Sequence, residues 1–122
     1  MRLLDTYCGA GGTTRGYQLA GFECVGVDIA PQKHYIGEAF VQMNAIAALD
    51  VLLCGGTITD TEGHEWRLSD FDAIHASPPC QFASQETPME HRQKHPNLIP
   101  PTRELLRATG LPYVIENVQN AR

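Results

Sequence analysis

The stretch Arg2-Leu-Leu-Asp-Thr-Tyr-Cys-Gly-Ala-Gly-Gly12 indicates the fold of this chain more clearly than any other. Arg2–Tyr7 is apolar enough for a buried strand, and a glycine cluster follows at once. A helix can come next, capped by Thr13 or Thr14, reaching Ala20 and ended by Gly21. Glycines between a strand and a helix let backbone amides approach a ligand, although a tight turn alone would explain them equally well.

The residues on either side repeat the alternation of strand and helix. Phe22–Val27 reads as the second strand with Asp28 at its end, Ala39–Met43 as the third strand, and Ala45–Leu53 as a helix. Strands and helices at this spacing are typical of a parallel sheet with crossover helices. Later elements follow the same pattern and comprise a small hairpin inserted within Cys54–Leu68, a strand at Phe71–Ala76, a loop at Gln81–Pro96, a helix at Pro101–Thr109 and a strand at Pro112–Val118.

Size and charge restrict the class of protein. The 122 residues fit one domain, residues 1–122, and the net charge of -5 argues against a self-sufficient nucleic-acid binder. With no apolar run of membrane-spanning length and no signal segment, we expect a cytoplasmic protein that does not bind membranes. Scattered cysteines then predict reduced, mostly buried thiols, and the trio Cys80, His91 and His95 is too weak a pattern to predict a metal site.

Two features at predicted strand ends suggest a nucleotide-like ligand. Asp28 lies 17 residues after Gly11, where an acid can accept hydrogen bonds from ribose hydroxyls. Thr14 stands where a dinucleotide motif needs its third glycine, which argues against an NAD-dependent dehydrogenase. A lone Asp at a strand end is more often simply solvated.

The segment Ser77-Pro-Pro-Cys-Gln81 presents a candidate nucleophile. Two prolines fix the backbone just before Cys80, whereas most cysteines are small buried hydrophobic residues. Glu116 follows 36 residues later, within the apolar run Tyr113-Val-Ile-Glu-Asn117. We expect it to be buried in the last strand, where a carboxyl group tends to stay protonated and can donate a proton.

Together, Asp5-Thr-Tyr-Cys-Gly-Ala-Gly-Gly12, Pro78-Pro-Cys-Gln81 and Glu116-Asn-Val118 resemble the ordered signatures of cytosine-C5 DNA methyltransferases. The variant around Phe71–Gln81 is most similar to small phage and bacterial members, whose roles include restriction–modification. The resemblance implies an α/β, Rossmann-like class I methyltransferase fold with an open, mainly parallel sheet in the order 3-2-1-4-5. It also implies that later strands, an arginine motif and a target-recognition region are missing before Arg122.

The resemblance further implies S-adenosyl-L-methionine as cofactor and DNA as substrate. Cys80 and Glu116 would be catalytic and Asn117 would hold the loop that bears Cys80, while Ala45 and Pro78 would join the cofactor site. Tyr7 and Ile29 would pack on the adenine, Asp28 would bind the ribose, and Gly9 and Gly11 would line the methionine portion. The other residues of this turn, Cys8, Ala10 and Gly12, would also belong to the cofactor site. Asn44 stands where the family usually has Asp, so binding of the adenine amino group would be weakened.

Two alternatives remain open at this point. The same signatures serve RNA cytosine methylation, and a truncated module that binds adenosylmethionine without catalysis would share the cofactor residues. The predicted last strand is an apolar edge, so we also expect self-association or a second polypeptide that completes the sheet.

Overall fold

A computed structural model describes residues 1–79 and 98–116 of the chain. Its strands in chain order are β1 (Arg2–Thr6), β2 (Glu23–Asp28), β3 (Ala39–Gln42), β4 (Ile58–Thr59), β5 (Glu65–Trp66), β6 (Ala73–Ala76) and β7 (Tyr113–Ile115). Its helices are α1 (Gly12–Leu19), α2 (Ala45–Leu53) and α3 (Ile99–Thr109), with a short 3-10 turn at Leu68–Asp70.

The main sheet has five strands in the order β3-β2-β1-β6-β7, and all its pairs are parallel. With the hairpin strands set aside, this is the predicted order 3-2-1-4-5. Because the strands are parallel, their carboxyl ends meet at one edge, where open α/β sheets bind ligands. Asp28, Ser77 and Glu116 all lie at this edge, at or just after the ends of their strands.

Helix α1 begins differently from the prediction. Its cap is Gly11 in the left-handed conformation, with φ of 109°, and no side chain caps it. Thr13 and Thr14 already lie in the first turn, and the buried Thr14 hydroxyl donates a 2.6 Å hydrogen bond to the Asp5 carboxylate. The expectation of a Thr13 or Thr14 cap was therefore wrong. The helix ends at Leu19, and Gly21 follows with φ of 100°.

Helix α2 matches the predicted bounds, Ala45–Leu53. Asn44 caps it, because its Oδ1 accepts a 3.1 Å hydrogen bond from the Ala47 N–H. The buried face of α2 lies against the sheet and α3, where its Ala48, Leu49 and Leu52 join Val25, Val41 and Leu106 in the core. Burial of each such leucine contributes about 2 kcal/mol of transfer free energy.

Helix α3 starts at Ile99, two residues earlier than predicted, because prolines fit the unpaired first turn of a helix. It ends before Gly110, which adopts φ of 75°. Strand β7 is shorter than predicted and stops at Ile115, so Glu116 follows the strand. The remainder of the predicted strand, Asn117 and Val118, lies outside the described residues.

The predicted hairpin is present as the antiparallel pair β4 and β5. Asp60 organises its turn, accepting hydrogen bonds from the Glu62 and His64 backbone N–H groups at 2.9 and 3.0 Å and from Trp66 Nε1 at 2.9 Å. No helix in the described parts of the chain is both long and apolar enough to span a bilayer. The predicted loop Gln81–Pro96 lies outside those parts.

Candidate active site

A cavity of about 470 Å³ opens where β1 and β2 end. Seven of the predicted cofactor residues line it: Tyr7, Cys8, Gly9, Asp28, Ile29, Asn44 and Ala45. Ser77, Pro79 and Leu98 complete the lining and were not among the predicted cofactor residues. A larger cavity of about 580 Å³ lies between the end of α2 and Leu111, but it contains none of the predicted residues.

Tyr7 connects the turn after β1 to helix α3. It has a positive φ of 58°, which is uncommon for a residue with a side chain, and its hydroxyl shares a 2.9 Å hydrogen bond with Thr102 Oγ1. Burial raises the pKa of the Tyr7 hydroxyl, so the side chain stays uncharged where it lines the cavity. Thr102 is fully buried, and this bond fixes the ring in place.

Asp28 joins the two sides of the cavity entrance. One carboxylate oxygen accepts a 2.8 Å hydrogen bond from the Gly9 N–H, and the other accepts a 3.1 Å bond from the Ala30 N–H. A carboxylate offers about four acceptor positions, so two remain for a ligand. Next to it, the Ile29 side chain is 66% exposed and can cover an apolar ligand group.

The structure does not bring every predicted cofactor residue to the cavity. Ala10, Gly11 and Gly12 do not line it, and Gly11 lies under Ile36, whose Cγ1 would be 2.7 Å from a Cβ at that position. Pro78 is buried between two lining residues. A direct cofactor contact for these residues stays a prediction. Asn44 does reach the cavity, although one lone pair of its Oδ1 already serves the helix cap.

Glu116 is exposed, contrary to the expectation of a buried carboxyl group. Its side chain is 57% accessible, because it follows β7, an edge strand whose Tyr113 and Val114 are also exposed. Its Oε1 accepts a 3.3 Å hydrogen bond from Ser77 Oγ and lies 3.3 Å from Nε2 of His75, a buried residue that the sequence did not single out. The segment that leads to Cys80 therefore contacts Glu116 through Ser77.

Of the described cysteines, Cys8 and Cys24 are poor nucleophiles. Burial, reinforced by the Asp5 and Asp28 carboxylates, raises the pKa of the Cys8 thiol far above its usual range, and burial raises that of Cys24 to about 11. Both stay protonated near neutral pH and react slowly. Cys54 is exposed but follows α2, away from the cavity, and these three thiols are free, as expected.

Cys80 and Asn117 lie outside the described residues, as do His91 and His95. Within residues 1–79 and 98–116, no group of three or more His, Cys, Asp or Glu side chains could hold a metal ion. The family comparison covers these positions as well. The model for the C-5 cytosine-specific DNA methylase family matches residues 1–122, the whole chain.

The chain belongs to this family. No curated protein matches the chain. Membership identifies the enzyme class as DNA cytosine-C5 methyltransferase and agrees with the Rossmann-like sheet order. In this family member the cavity, residues Ser77 to Pro79 and Glu116 lie at one edge of one sheet.

Proposed function

We propose that this methylase transfers a methyl group from S-adenosyl-L-methionine to C5 of a cytosine in DNA, with Cys80 as the nucleophile. The observation that carries the proposal is the contact between Ser77 and Glu116 at the rim of the cavity. It brings the start of the Pro-Pro-Cys segment, a carboxyl group and a nucleoside-sized cavity within one short region.

The cavity residues fit the proposed cofactor. A volume of about 470 Å³ suits a small-molecule ligand, since such sites typically measure about 300–1,000 Å³. The Tyr7 ring and the exposed Ile29 side chain provide apolar faces for adenine. Asp28 has carboxylate lone pairs left for ribose hydroxyls. When bound, S-adenosyl-L-methionine supplies the methyl group as an electrophilic sulfonium.

Cytosine C5 is too weak a nucleophile to take that methyl group while the ring is aromatic. The Cys80 thiolate adds to C6, and the Glu116 carboxyl group hydrogen-bonds or protonates N3, which converts C5 into an enamine-like carbon. After methylation, C5 loses its proton, the Cys80–C6 bond breaks and N3 returns its proton. Because Glu116 is exposed, it can contact a base entering from solvent.

The target base has to leave its helix to reach the thiol, so the methylase would act on a flipped cytosine. Family membership favours DNA over RNA as the substrate. The net charge of -5 gives the chain little attraction for phosphates, so the duplex would be held by a local basic patch or by another polypeptide.

The edge strand β7 supports pairing with a further chain. Tyr113 and Val114 are 36% and 51% exposed, and no other described strand pairs with the outer edge of β7. An uncovered apolar edge is a template for strand addition. A second polypeptide, or another copy of this chain, could therefore extend the sheet and supply the duplex contacts.

A mechanism-based trap tests the proposal. Duplex DNA carrying 5-fluorocytosine should give a covalent adduct, because the C5 fluorine cannot leave as a proton after methyl transfer. The full-length protein should form this adduct only when S-adenosyl-L-methionine is added, and peptide mapping should place it at Cys80. Cys54→Ser serves as the control and should form the adduct normally. An adduct that maps to Cys8 or Cys54 would overturn the assignment.

A further inference from the structure

A continuous series of hydrogen bonds leads from helix α1 to Glu116. The Tyr17 hydroxyl lies 2.8 Å from Nδ1 of His75, and Nε2 of His75 lies 2.8 Å from Ser77 Oγ. Ser77 then donates to Glu116 Oε1 at 3.3 Å. The series begins at the half-buried Tyr17 and ends at the exposed carboxyl group to which the reaction assigns a proton.

The donors and acceptors fit one arrangement of protons. If Tyr17 donates to Nδ1, the neutral imidazole carries its proton on Nε2 and donates it to Ser77. The Ser77 hydroxyl is then free to donate to Glu116, so each group gives one hydrogen bond to the next. When Glu116 is protonated, every hydrogen bond of the series can run in the opposite direction, from Glu116 to Ser77 and on to His75. This is possible because imidazole and hydroxyl groups can exchange donor and acceptor roles.

Packing alone does not explain an imidazole at this position. His75 is 2% exposed on a central strand, between Ile74 and Ala76, and its ring packs edge-on against Tyr17 at 5.3 Å between centroids. An apolar side chain would fill this space without the free energy needed to desolvate two ring nitrogens. A buried polar group that is fully hydrogen-bonded does fix a single geometry.

The charged and titratable groups around His75 come from each neighbouring element. Tyr17 lies on α1 and Glu116 follows β7, while Asp5 pairs with His75 in the register of β1 and β6. Asp5 is buried and accepts the hydrogen bond from Thr14, and burial raises its pKa. The described surroundings of His75 thus offer one buried carboxyl group, one phenol and the exposed Glu116.

We propose that His75 is a positioning residue for Glu116, acting through Ser77 to orient the carboxyl group and to balance its change of protonation. The inference rests on the proposed function, in which Glu116 donates a proton to cytosine N3. Once that proton has moved to N3, the carboxylate left behind is stabilised by the Ser77 hydroxyl and by Nε2–H of His75, 3.3 Å away. The proton returns to Glu116 when the Cys80–C6 bond breaks, so no net proton is consumed along this route.

Two substitutions of His75 separate this role from packing. His75→Gln keeps an amide N–H that can donate to Ser77, whereas His75→Met keeps the volume and removes the donor. In the full-length protein we expect His75→Met to lower kcat by about 100-fold, the loss typical of a misplaced catalytic group. KM for S-adenosyl-L-methionine should change by less than about threefold, because His75 does not line the cavity. His75→Gln should recover most of kcat.

The pH profile provides a readout that a purely structural role would not move. Loss of the donors favours the protonated form of Glu116, so in His75→Met the fall of kcat at high pH should occur at higher pH than in wild type. His75→Gln should restore the wild-type profile. Tyr17→Phe, which removes only the first hydrogen bond of the series, should shift the profile in the same direction by a smaller amount.

Two results would overturn the role of His75. One is a His75→Met variant with the kcat and the pH profile of wild type. The other is an equal loss of kcat in the Met and Gln variants with an unchanged pH dependence. If His75→Met does not fold, as judged by circular dichroism, the Gln and Tyr17→Phe variants still decide between the outcomes. Failure of the proposed function itself would appear differently, as a wild-type protein that forms no adduct at Cys80 with 5-fluorocytosine.

Discussion

The carboxylate of Asp28 accepts a 2.8 Å hydrogen bond from the backbone N–H of Gly9. This bond ties the end of β2 to the turn after β1, the two segments that form the mouth of the cavity. Asp28 therefore has two functions under the proposed activity, since it holds the turn in place and offers its remaining lone pairs to a ribose. A substitution should affect both.

Asp28→Ala should weaken S-adenosyl-L-methionine binding by about 2 kcal/mol, or about 30-fold in Kd, the scale of hydrogen bonds lost from a charged group. Titration calorimetry measures this directly. Asp50→Ala is a suitable control, because it removes the same charge from an exposed position on α2 and should leave Kd unchanged. An unaltered Kd in Asp28→Ala would place the cofactor elsewhere.

Asn44 gives a prediction about stability as well as binding. Asn44→Ala removes the side-chain cap of α2 and should lower the free energy of unfolding by about 1 kcal/mol. Asn44→Asp keeps the capping oxygen and places a negative charge at the helix N-terminus, so stability should be retained. Urea denaturation followed by circular dichroism would show the difference.

The same pair of variants examines the adenine contact. Asp, the residue that the resemblance implies at this position, can accept from both the helix and an adenine amino group. We therefore expect Asn44→Asp to bind S-adenosyl-L-methionine as tightly as wild type or more tightly. Weaker binding by Asn44→Asp would contradict a role for this position in accepting the amino group.

Much of the sheet could be predicted from local patterns. The alternation of apolar strands and helices predicted a parallel sheet, whereas its strand order came from the family resemblance. Helix α2 has the predicted bounds because an Asn cap precedes a continuous helical stretch. Helix α1 could not be predicted as well, because Thr14 is engaged by Asp5, a contact between a helix and a strand that no local pattern contains.

The sequence predicted most of the residues that line the cavity, but not all of them. Tyr7, Asp28 and Asn44 line one cavity because the carboxyl ends of parallel strands converge. Leu98 reaches the same cavity from a distant part of the chain, which spacing along the sequence does not reveal. The prediction that Glu116 is buried was wrong, because the apolar run Tyr113–Ile115 lies at an exposed edge, where apolar composition does not imply burial.

Asp60 should make the hairpin sensitive to acid. Although burial raises its pKa, hydrogen bonds from Trp66, Glu62 and His64 outweigh this and lower the pKa of Asp60 below its ordinary value of 3.8. A lowered folded-state pKa contributes stability that is present above 3.8 and is lost as pH falls through the lower, folded value.

The fluorescence of Trp66, the only tryptophan in the sequence, reports on this hairpin. The signal should change as the pH is lowered below about 4, where Asp60 takes up its proton. Asp60→Asn keeps one acceptor oxygen but cannot titrate, so its fluorescence should lack the acid transition attributed to Asp60. A wild-type transition in that variant would assign the effect to another carboxyl group.

Cys80→Ser should separate cofactor binding from catalysis. A serine hydroxyl is far less acidic than a thiol and adds poorly to C6, so methyl transfer to duplex DNA should fall by at least about 1,000-fold. Binding of S-adenosyl-L-methionine should be nearly unchanged, because the cavity is built from Tyr7, Asp28 and their neighbours. Tritium transfer from labelled cofactor and calorimetry measure the two effects. Cys54→Ser, at an exposed position after α2, should retain both activities. Substantial methylation by Cys80→Ser would mean that another group attacks the base.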